Sequence, residues 1–302
     1  MENIAPIVLF VYNRPDHTRQ TLEALATNTL ASESELFIFS DAPKNESAVE
    51  KVQAVRSLIK TIRGFKLVTI IERDTNWGLA KSIIEGVTEI VNRYGKIIVL
   101  EDDIVTSPYF LKFMNDALRF YEQEKQVWHI AGYSYPIDKK GLPEIYFTKY
   151  MSCWGWATWS DRWKYFEKNV DKLIVSFTKD DIFRFNINGT EDFWRQVLDN
   201  KSGKINTWAI FWYATIFQNN GLCLNSAVGF AKNIGFDGTG VHCGISNQYA
   251  TDISIRENIN FNKIKIKENE IALERIMQFY KKQKKNLFVR AVNKSIRMLK
   301  KL

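Results

Sequence analysis

Three consecutive acids, Glu101, Asp102 and Asp103, follow the apolar run Ile97-Ile98-Val99-Leu100. A short, β-branched apolar run reads as a buried strand. Ligands of open α/β sheets bind just past the carboxyl ends of such strands. Three carboxylates there repel one another unless a cation lies among them. A hard divalent cation, held by one or two carboxylates and completed by substrate phosphates, resolves that repulsion. The competing reading is a solvated acidic turn before a helix, because acids favour helix N-termini.

Other polar residues fall at the ends of neighbouring predicted strands: Asn13 and Arg14, Asp41, and the stretch Arg73 to Gly78. Arg14 and Arg73 suit a phosphate or a structural ion pair. Asp41 suits an N–H of a base, or a turn or cap. Asn76-Trp77-Gly78 opens a predicted helix, whose unpaired N–H groups attract anions, or is a plain loop-to-helix turn. Taken together these residues point to a nucleoside diphosphate bound with a metal. The chain has no GxxxxGK[ST] loop. No GxGxxG follows the first strand, which argues against a dinucleotide.

The elements that must position these residues alternate. Strands are expected over Pro6–Tyr12, Leu36–Ser40, Lys66–Ile71, Ile97–Leu100 and Val127–Ala131. Helices are expected from Pro15, over Ser47–Ile62, over Leu79–Tyr94, and from Ser107-Pro108 to Tyr121. Val52, Val55 and Ile59 recur at helical spacing, and Pro15 suits a first helical position. The β-α-β-α order predicts an α/β fold with a parallel sheet and helices on both faces. The second half is less regular. Met151–Trp163 is aromatic and glycine-interrupted, Ile210–Phe217 reads as a buried helix, Gly221–Val228 as a late strand, and Asn233–Gly244 as a glycine-rich loop. With no repeat and no low-complexity linker, the reading is one domain over 1–280, its nucleotide half 1–132 and its acceptor half 133–280, followed by a tail over 281–302.

The 302 residues include nine Trp, and several lie between Trp154 and Trp212. Cys153, Cys223 and Cys243 are odd in number and form no CxxC pair, so neither a disulfide framework nor a zinc site is expected. Met1–Pro6 lacks a basic stretch followed by a long apolar one, and no stretch reaches the length of a membrane span. A cytoplasmic location is the expectation. The net charge of +8 is lopsided. Residues 281–302 carry nine Lys or Arg and no acid, which leaves the remaining chain at −1. That distribution excludes a uniformly basic nucleic-acid binder. If helical, the tail places Phe288, Val292, Ile296 and Leu299 on one face and Arg290, Lys294, Arg297 and Lys301 on the other. It reads as a solvated terminus or as an interfacial helix on an anionic membrane. We favour the membrane, which gives a peripheral protein on its inner face.

The chain resembles a glycosyltransferase of the GT-A fold, nearest in pattern to the N-acetylglucosaminyltransferase I group and its bacterial surface-glycan relatives. The residues that carry the resemblance are Ile7 to Arg14, Ser40-Asp41, Ile98 to Asp103 with Ser107 to Leu111, and Trp154-Gly155-Trp156. They run in family order over roughly residues 4–245. The resemblance implies a Rossmann-like nucleotide half, a nucleotide sugar donor, a UDP sugar by pattern, and a divalent metal, Mn2+ or Mg2+. It places Asp103 on the metal, Asp102 at the ribose or donor sugar, Glu101 in support, Asp41 at the base and Arg14 at the nucleotide. The acceptor it implies is a glycan or lipid-linked glycan. A sugar nucleotidyltransferase and a non-catalytic glycan-binding subunit are the rival readings.

One departure matters. Inverting relatives place an Asp flanked by Trp as the base for the acceptor hydroxyl. The matching segment, Asn206 to Trp212, has Ala209 at that position, and alanine cannot take a proton. Asp192, beside Phe193 and Trp194, is one candidate base, since a carboxylate near apolar rings can be tuned for that task; its plain reading is a helix-start acid. Asp237 and His242, in the glycine-rich loop, are rivals. His242 is also a candidate to reach the metal or diphosphate, or is a structural histidine.

Overall fold

The computed structural model describes residues 4–238, 248–262 and 264–299, the last fifteen of these by their backbone alone. The first half alternates as its apolar runs require. In order come β1 (Ile7–Val11), α1 (Pro15–Ala26), β2 (Glu35–Ser40), α2 (Glu46–Thr61), β3 (Leu67–Glu72), α3 (Gly78–Tyr94), β4 (Lys96–Glu101), β5 (Ile104–Thr106), α4 (Phe110–Phe120) and β6 (Val127–Ala131). The second half holds β7 (Ile145–Thr148), β8 (Trp156–Trp159), α5 (Ser160–Trp163), α6 (Val170–Ser176), α7 (Lys179–Phe185), α8 (Phe193–Lys201), α9 (Ala209–Gln218), β9 (Leu222–Ser226), β10 (Ala231–Asn233) and α10 (Glu270–Leu299).

Eight strands form one sheet in the order β3-β2-β1-β4-β8-β6-β9-β7. The run β3-β2-β1-β4 is parallel, with Val11 beside Ser40, Ser40 beside Glu72 and Phe10 beside Glu101. The carboxyl ends of all four strands therefore line one edge, as the sequence predicts. Beyond them the sheet, mostly parallel as anticipated, takes in antiparallel strands. β8 runs antiparallel between β4 and β6, and β7 runs antiparallel to β9. The β8 segment Trp156-Ala157-Thr158-Trp159 is buried at every position, so its pattern carries no alternation that would announce a strand. A second, two-stranded sheet pairs β5 with β10, Thr106 beside Ala231 and Ile104 beside Asn233.

The period of two along each central strand divides the core into two layers. Ile7, Leu9, Val11, Leu36, Ile38, Ile98 and Leu100 face α1, α2 and α4, meeting Leu22, Leu25, Val55, Ile59 and Met114. Val8, Phe10, Phe37, Phe39, Ile97 and Val99 face the other way. They meet Ile83, Val87 and Ile90 of α3, Trp163 of α5 and Trp208, Trp212 and Ile216 around α9. Of the tryptophans that the sequence clusters, Trp156, Trp159, Trp163, Trp194, Trp208 and Trp212 are thus core, and Trp154 is half-buried. Trp156 stacks on Trp208 with ring centroids 5.3 Å apart. Buried His129 accepts from Trp212 Nε1 at its Nδ1 and donates from Nε2 to the Ser152 carbonyl. Burial pushes its pKa down to about 3, so it is a neutral structural link between β6 and α9.

A third cluster, rich in tyrosine, packs Tyr133, Tyr135, Tyr150, Phe185, Trp194, Phe211 and Tyr213 against Ile276 and Tyr280 of α10. The Tyr135 and Tyr280 hydroxyls meet at 2.9 Å. α10 docks on the body through Ile276 and Tyr280, ahead of the basic tail over 281–302, and continues through Leu299. Among the described residues no helix is long and apolar enough to cross a membrane, and no disulfide joins Cys153 to Cys223.

Candidate functional site

The acidic triplet stands where β4 leaves the sheet. Glu101 ends β4, and Asp102 and Asp103 form the turn into β5. The triplet is not a solvated turn, because Asp102 is 6% and Asp103 7% exposed. Arg14, arriving from the end of neighbouring β1, forks the pair. Its Nη2 donates to Asp102 Oδ1 and, at 2.9 Å, to Asp103 Oδ2. The Arg14 carbonyl accepts both the backbone N–H and the hydroxyl of Thr18, at 2.9 and 2.8 Å, which pins its main chain to the first turn of α1. Thr21 of α1 donates its hydroxyl to the Asp102 carbonyl at 2.9 Å, and the Tyr12 backbone bonds the Asp102 side chain.

Burial sets the electrostatics here. It pushes Glu101 up to about 8, with repulsion from Asp103 and Asp102 adding to the effect. It pushes Asp102 up to about 6 against the pull of Arg14. For Arg14 burial works against the charge, but the two carboxylates outweigh it and hold the guanidinium protonated. Asp102 and Asp103 share one guanidinium, which leaves this corner short of positive charge.

A late segment closes over the corner. β10 pairs with β5, and the chain then runs directly across Asp103: Ile234 donates its N–H to the Asp103 carbonyl at 2.9 Å. Gly235 lies so close that a Cβ there would collide with Asp103 Oδ2. Two residues on, Asp237 Oδ2 sits 3.1 Å from His17 Nε2 of α1. Nothing in the sequence marks Gly235 or His17, because their partners lie more than a hundred residues away along the chain.

The second group surrounds Asp41, just past β2. Its carboxylate accepts four hydrogen bonds: from the N–H of Ala42 and Trp77 at 2.9 and 2.8 Å, from the N–H of Gly78 at 2.8 Å, and from Asn76 Nδ2 at 3.0 Å. Gly78 sits at φ 71°, in the left-handed region that glycine reaches without strain. Asp41 thus caps α3 across the sheet edge. A carboxylate offers about four lone-pair sites, and here the loop fills them. Asp41, expected at a base, is engaged here by its own loop. The structure makes Asp41 the residue that shapes the 73–78 loop, and Asn76 is held with it. Arg73 places its guanidinium 3.7 Å from the centroid of the Trp77 ring, with Lys81 Nζ at 4.3 Å from the same ring. Lys81 follows Trp77 at helical spacing, the one sequence signal that points to it. Asn13 lies half-buried in the loop between β1 and α1.

The candidate bases separate. Asp192 is exposed at the N-cap of α8, where Oδ1 accepts from the Arg195 N–H at 3.3 Å. Its neighbours Phe193 and Trp194 turn into the third cluster and do not enclose the carboxylate. The premise of an apolar setting fails, and Asp192 is a helix cap. Ala209 begins α9, half-buried against the second core layer. Asp237 lies on the segment that covers Asp103. His242 falls outside the described residues.

These placements fit a hard divalent ion. Asp102 and Asp103 are adjacent oxygen donors, and among the described residues no group of three or more acid, His or Cys side chains converges as a ready-made ligand set. Two carboxylates completed by substrate phosphate oxygens are the usual holding of Mg2+ and of chemically similar ions.

Residues 7–193, more than half of the chain, match the family model described as glycosyl transferase family 2. No curated protein matches the chain. Among solved structures, the chain is similar to the mannosyltransferase PcManGT from Pyrobaculum calidifontis in complex with GDP-Man and Mn2+. Identity is 11%, the TM-score is 0.42, and the match covers 71% of this chain and 68% of that one. It is similar also to S. aureus TarS, at 14% identity and a TM-score of 0.37, covering 53% of this chain and 29% of TarS. A third similarity is to a UDP-glucose pyrophosphorylase complexed with UDP-glucose, at 12% identity and a TM-score of 0.31, covering 54% and 79%. The family match goes no finer than family 2 and does not single out the N-acetylglucosaminyltransferase I group. The mostly parallel sheet with helices on both faces is the GT-A architecture anticipated from the sequence.

Proposed function

The chain belongs to glycosyl transferase family 2, and from that premise we propose that it transfers a sugar from a nucleoside diphosphate sugar, with uridine as the nucleoside, to a glycan or lipid-linked glycan. The single observation that carries this reading is the buried pair Asp102 and Asp103, forked by Arg14, beside the loop that Asp41 organises. Since β1 alone separates β2 from β4, the two groups lie about 10 Å apart, two strand spacings. That separation suits a base at one end and a diphosphate at the other.

Each residue then has a task. Trp77 and Arg73 offer a cationic aromatic wall to the nucleotide. Arg14 offers a planar fork to a diphosphate oxygen pair. Asp103, with Asp102, would hold Mn2+ or Mg2+; that ion supplies Lewis-acid neutralisation of the departing diphosphate. Glu101 supports the pair from the end of β4. The acceptor hydroxyl attacks the anomeric carbon, the bond to the diphosphate oxygen breaks, and the hydroxyl proton passes to the Asp237 carboxylate, which His17 orients. The segment 234–238 excludes water from Asp103.

The basic tail supports a peripheral position on the cytoplasmic face of a membrane, where lipid-linked acceptors reside. Its charge of +9 over 281–302 attracts anionic lipid at about 1 kcal/mol per residue near the surface, and the helix extends through Leu299.

Thermal unfolding with nucleotide sugars, with and without Mn2+, tests the proposal. A ligand at about a hundred times its Kd adds about 2.7 kcal/mol to stability. We expect a UDP sugar with Mn2+ to raise Tm by several degrees and to do so less without the ion. Absence of any shift across UDP, GDP and other nucleoside diphosphate sugars overturns it.

A further inference from the structure

The geometry points to Arg14 as a resident counter-cation that Asp102 and Asp103 must surrender before a divalent cation binds, so that the donor diphosphate, not the empty protein, recruits the metal. The inference deepens the proposed function and rests on it. Arg14 Nη2 reaches both carboxylates, with 2.9 Å to Asp103 Oδ2. Both acids are more than nine-tenths buried. Gly235 walls off Asp103 Oδ2 on a further side, lying close to Arg14 Nη1 as well. A cation approaching Asp103 therefore meets a guanidinium already placed there. The two positive charges compete for the same oxygens and repel each other in a poorly solvated corner.

The hinge for the exchange is visible. The main chain of Arg14 is fixed by Thr18, whose N–H and hydroxyl both hold its carbonyl, and Pro15 follows as the first residue of α1. The long side chain is the part left to move. A diphosphate gives the guanidinium a second planar oxygen pair of higher charge. When Arg14 turns to it, Asp102 and Asp103 are released to the metal. No bond is made or broken; the ion pairs of Arg14 with Asp102 and Asp103 are exchanged for Arg14 with the diphosphate and the two acids with the metal. By linkage, the factor by which the diphosphate tightens metal binding equals the factor by which metal tightens the diphosphate, and Arg14 carries part of it.

The test is direct Mn2+ binding, read from loss of the free-ion electron paramagnetic resonance signal, at mildly alkaline pH. Wild type, Arg14→Met and Arg14→Lys are each titrated alone, with UDP, and with GDP. Arg14→Met is expected to tighten nucleotide-free Mn2+ binding by about 10- to 100-fold, the worth of one charge-assisted hydrogen bond. The further tightening by nucleoside diphosphate shrinks in the same variant. Arg14→Lys keeps a charge but loses the fork, and falls between the two; it decides the matter if Arg14→Met does not fold. Nucleotide-free affinity that is unchanged or weaker in a folded variant overturns the exchange while leaving the metal site standing. If wild type binds no Mn2+ even with either nucleoside diphosphate, the metal reading fails and the exchange with it.

Discussion

Replacing Asp41 separates two roles that a sequence cannot. If Asp41 only touched the base, Asp41→Ala would fold normally and lose nucleotide affinity. The structure gives its carboxylate four donors: the N–H groups of Ala42, Trp77 and Gly78 and the amide of Asn76, at 2.8 to 3.0 Å. Asp41 is buried, at 7% exposure, and two of its donors are the orphan N–H groups that open α3. Hydrogen bonds to charged groups contribute about 1.5–3 kcal/mol each, but water reaches part of the loop once the side chain is gone. The net loss is about 3–5 kcal/mol, comparable to a strongly destabilising core change. Unfolding entropy of about 2.1 cal/mol/K per residue, over 302 residues, converts this to a fall in Tm of about 5–8 °C. Asp41→Asn is expected to lose about half as much, because its NH2 group faces donors instead of accepting from them. Calorimetry, with denaturant titration as a second readout, measures both. An Asp41→Ala protein within about 0.5 kcal/mol of wild type, the ordinary surface range, removes Asp41 from the loop's support and returns it to the base.

Three further outcomes follow from the same geometry. The folded-state pKa of Glu101, raised to about 8, and of Asp102, raised to about 6, lie above the ordinary carboxylate range near 4. The stability these protons contribute is complete below that range and is lost as pH rises through about 6 and then about 8. Without metal, stability should fall by on the order of 1–3 kcal/mol between about pH 5 and pH 9, and Mn2+ should restore it at the alkaline end; a flat profile contradicts the raised pKa of Glu101 and Asp102. Asp237→Asn should lower kcat by about 100-fold or more, the usual worth of a general base, with KM for the donor little changed, whereas exposed Asp192→Asn should leave kcat within about two-fold; the reverse pattern returns the base to α8. Replacing Lys281, Lys282 and Lys285 by Gln should weaken co-sedimentation with phosphatidylserine vesicles by about tenfold or more, at about 1 kcal/mol per charge, and equal sedimentation of both proteins removes the tail from the membrane.

The strands and helices of the first half were legible because each carries a single period. Apolar runs mark β1, β2 and β4, and spacing of three and four marks α2 and α3. The sheet edge followed, since the alternating order obliges parallel strands to end together. What stayed hidden depends on distant partners. β8 is buried on both faces and shows no alternation, so its antiparallel place between β4 and β6 was not legible. Gly235 and His17 act on Asp103 and Asp237 through folding alone. The sequence names Arg14 as a cation near phosphate but does not show that it first neutralises Asp102 and Asp103. Asp192 misled for the converse reason: its aromatic neighbours in sequence turn inward while the carboxylate caps a helix.

If Asp103 anchors the nucleotide-sugar site, its removal abolishes release of the nucleotide product. Wild type and Asp103→Ala are incubated with Mn2+, a panel of nucleoside diphosphate sugars and a membrane glycan extract, and the phosphate products are separated. Wild type is expected to release nucleoside diphosphate and Asp103→Ala at least a hundredfold less, a loss of about 2.7 kcal/mol in the barrier, with the variant still folded by circular dichroism. Equal release from a folded Asp103→Ala contradicts it. So does pyrophosphate formed from nucleoside triphosphates in place of nucleoside diphosphate, which would assign the site to nucleotidyl transfer.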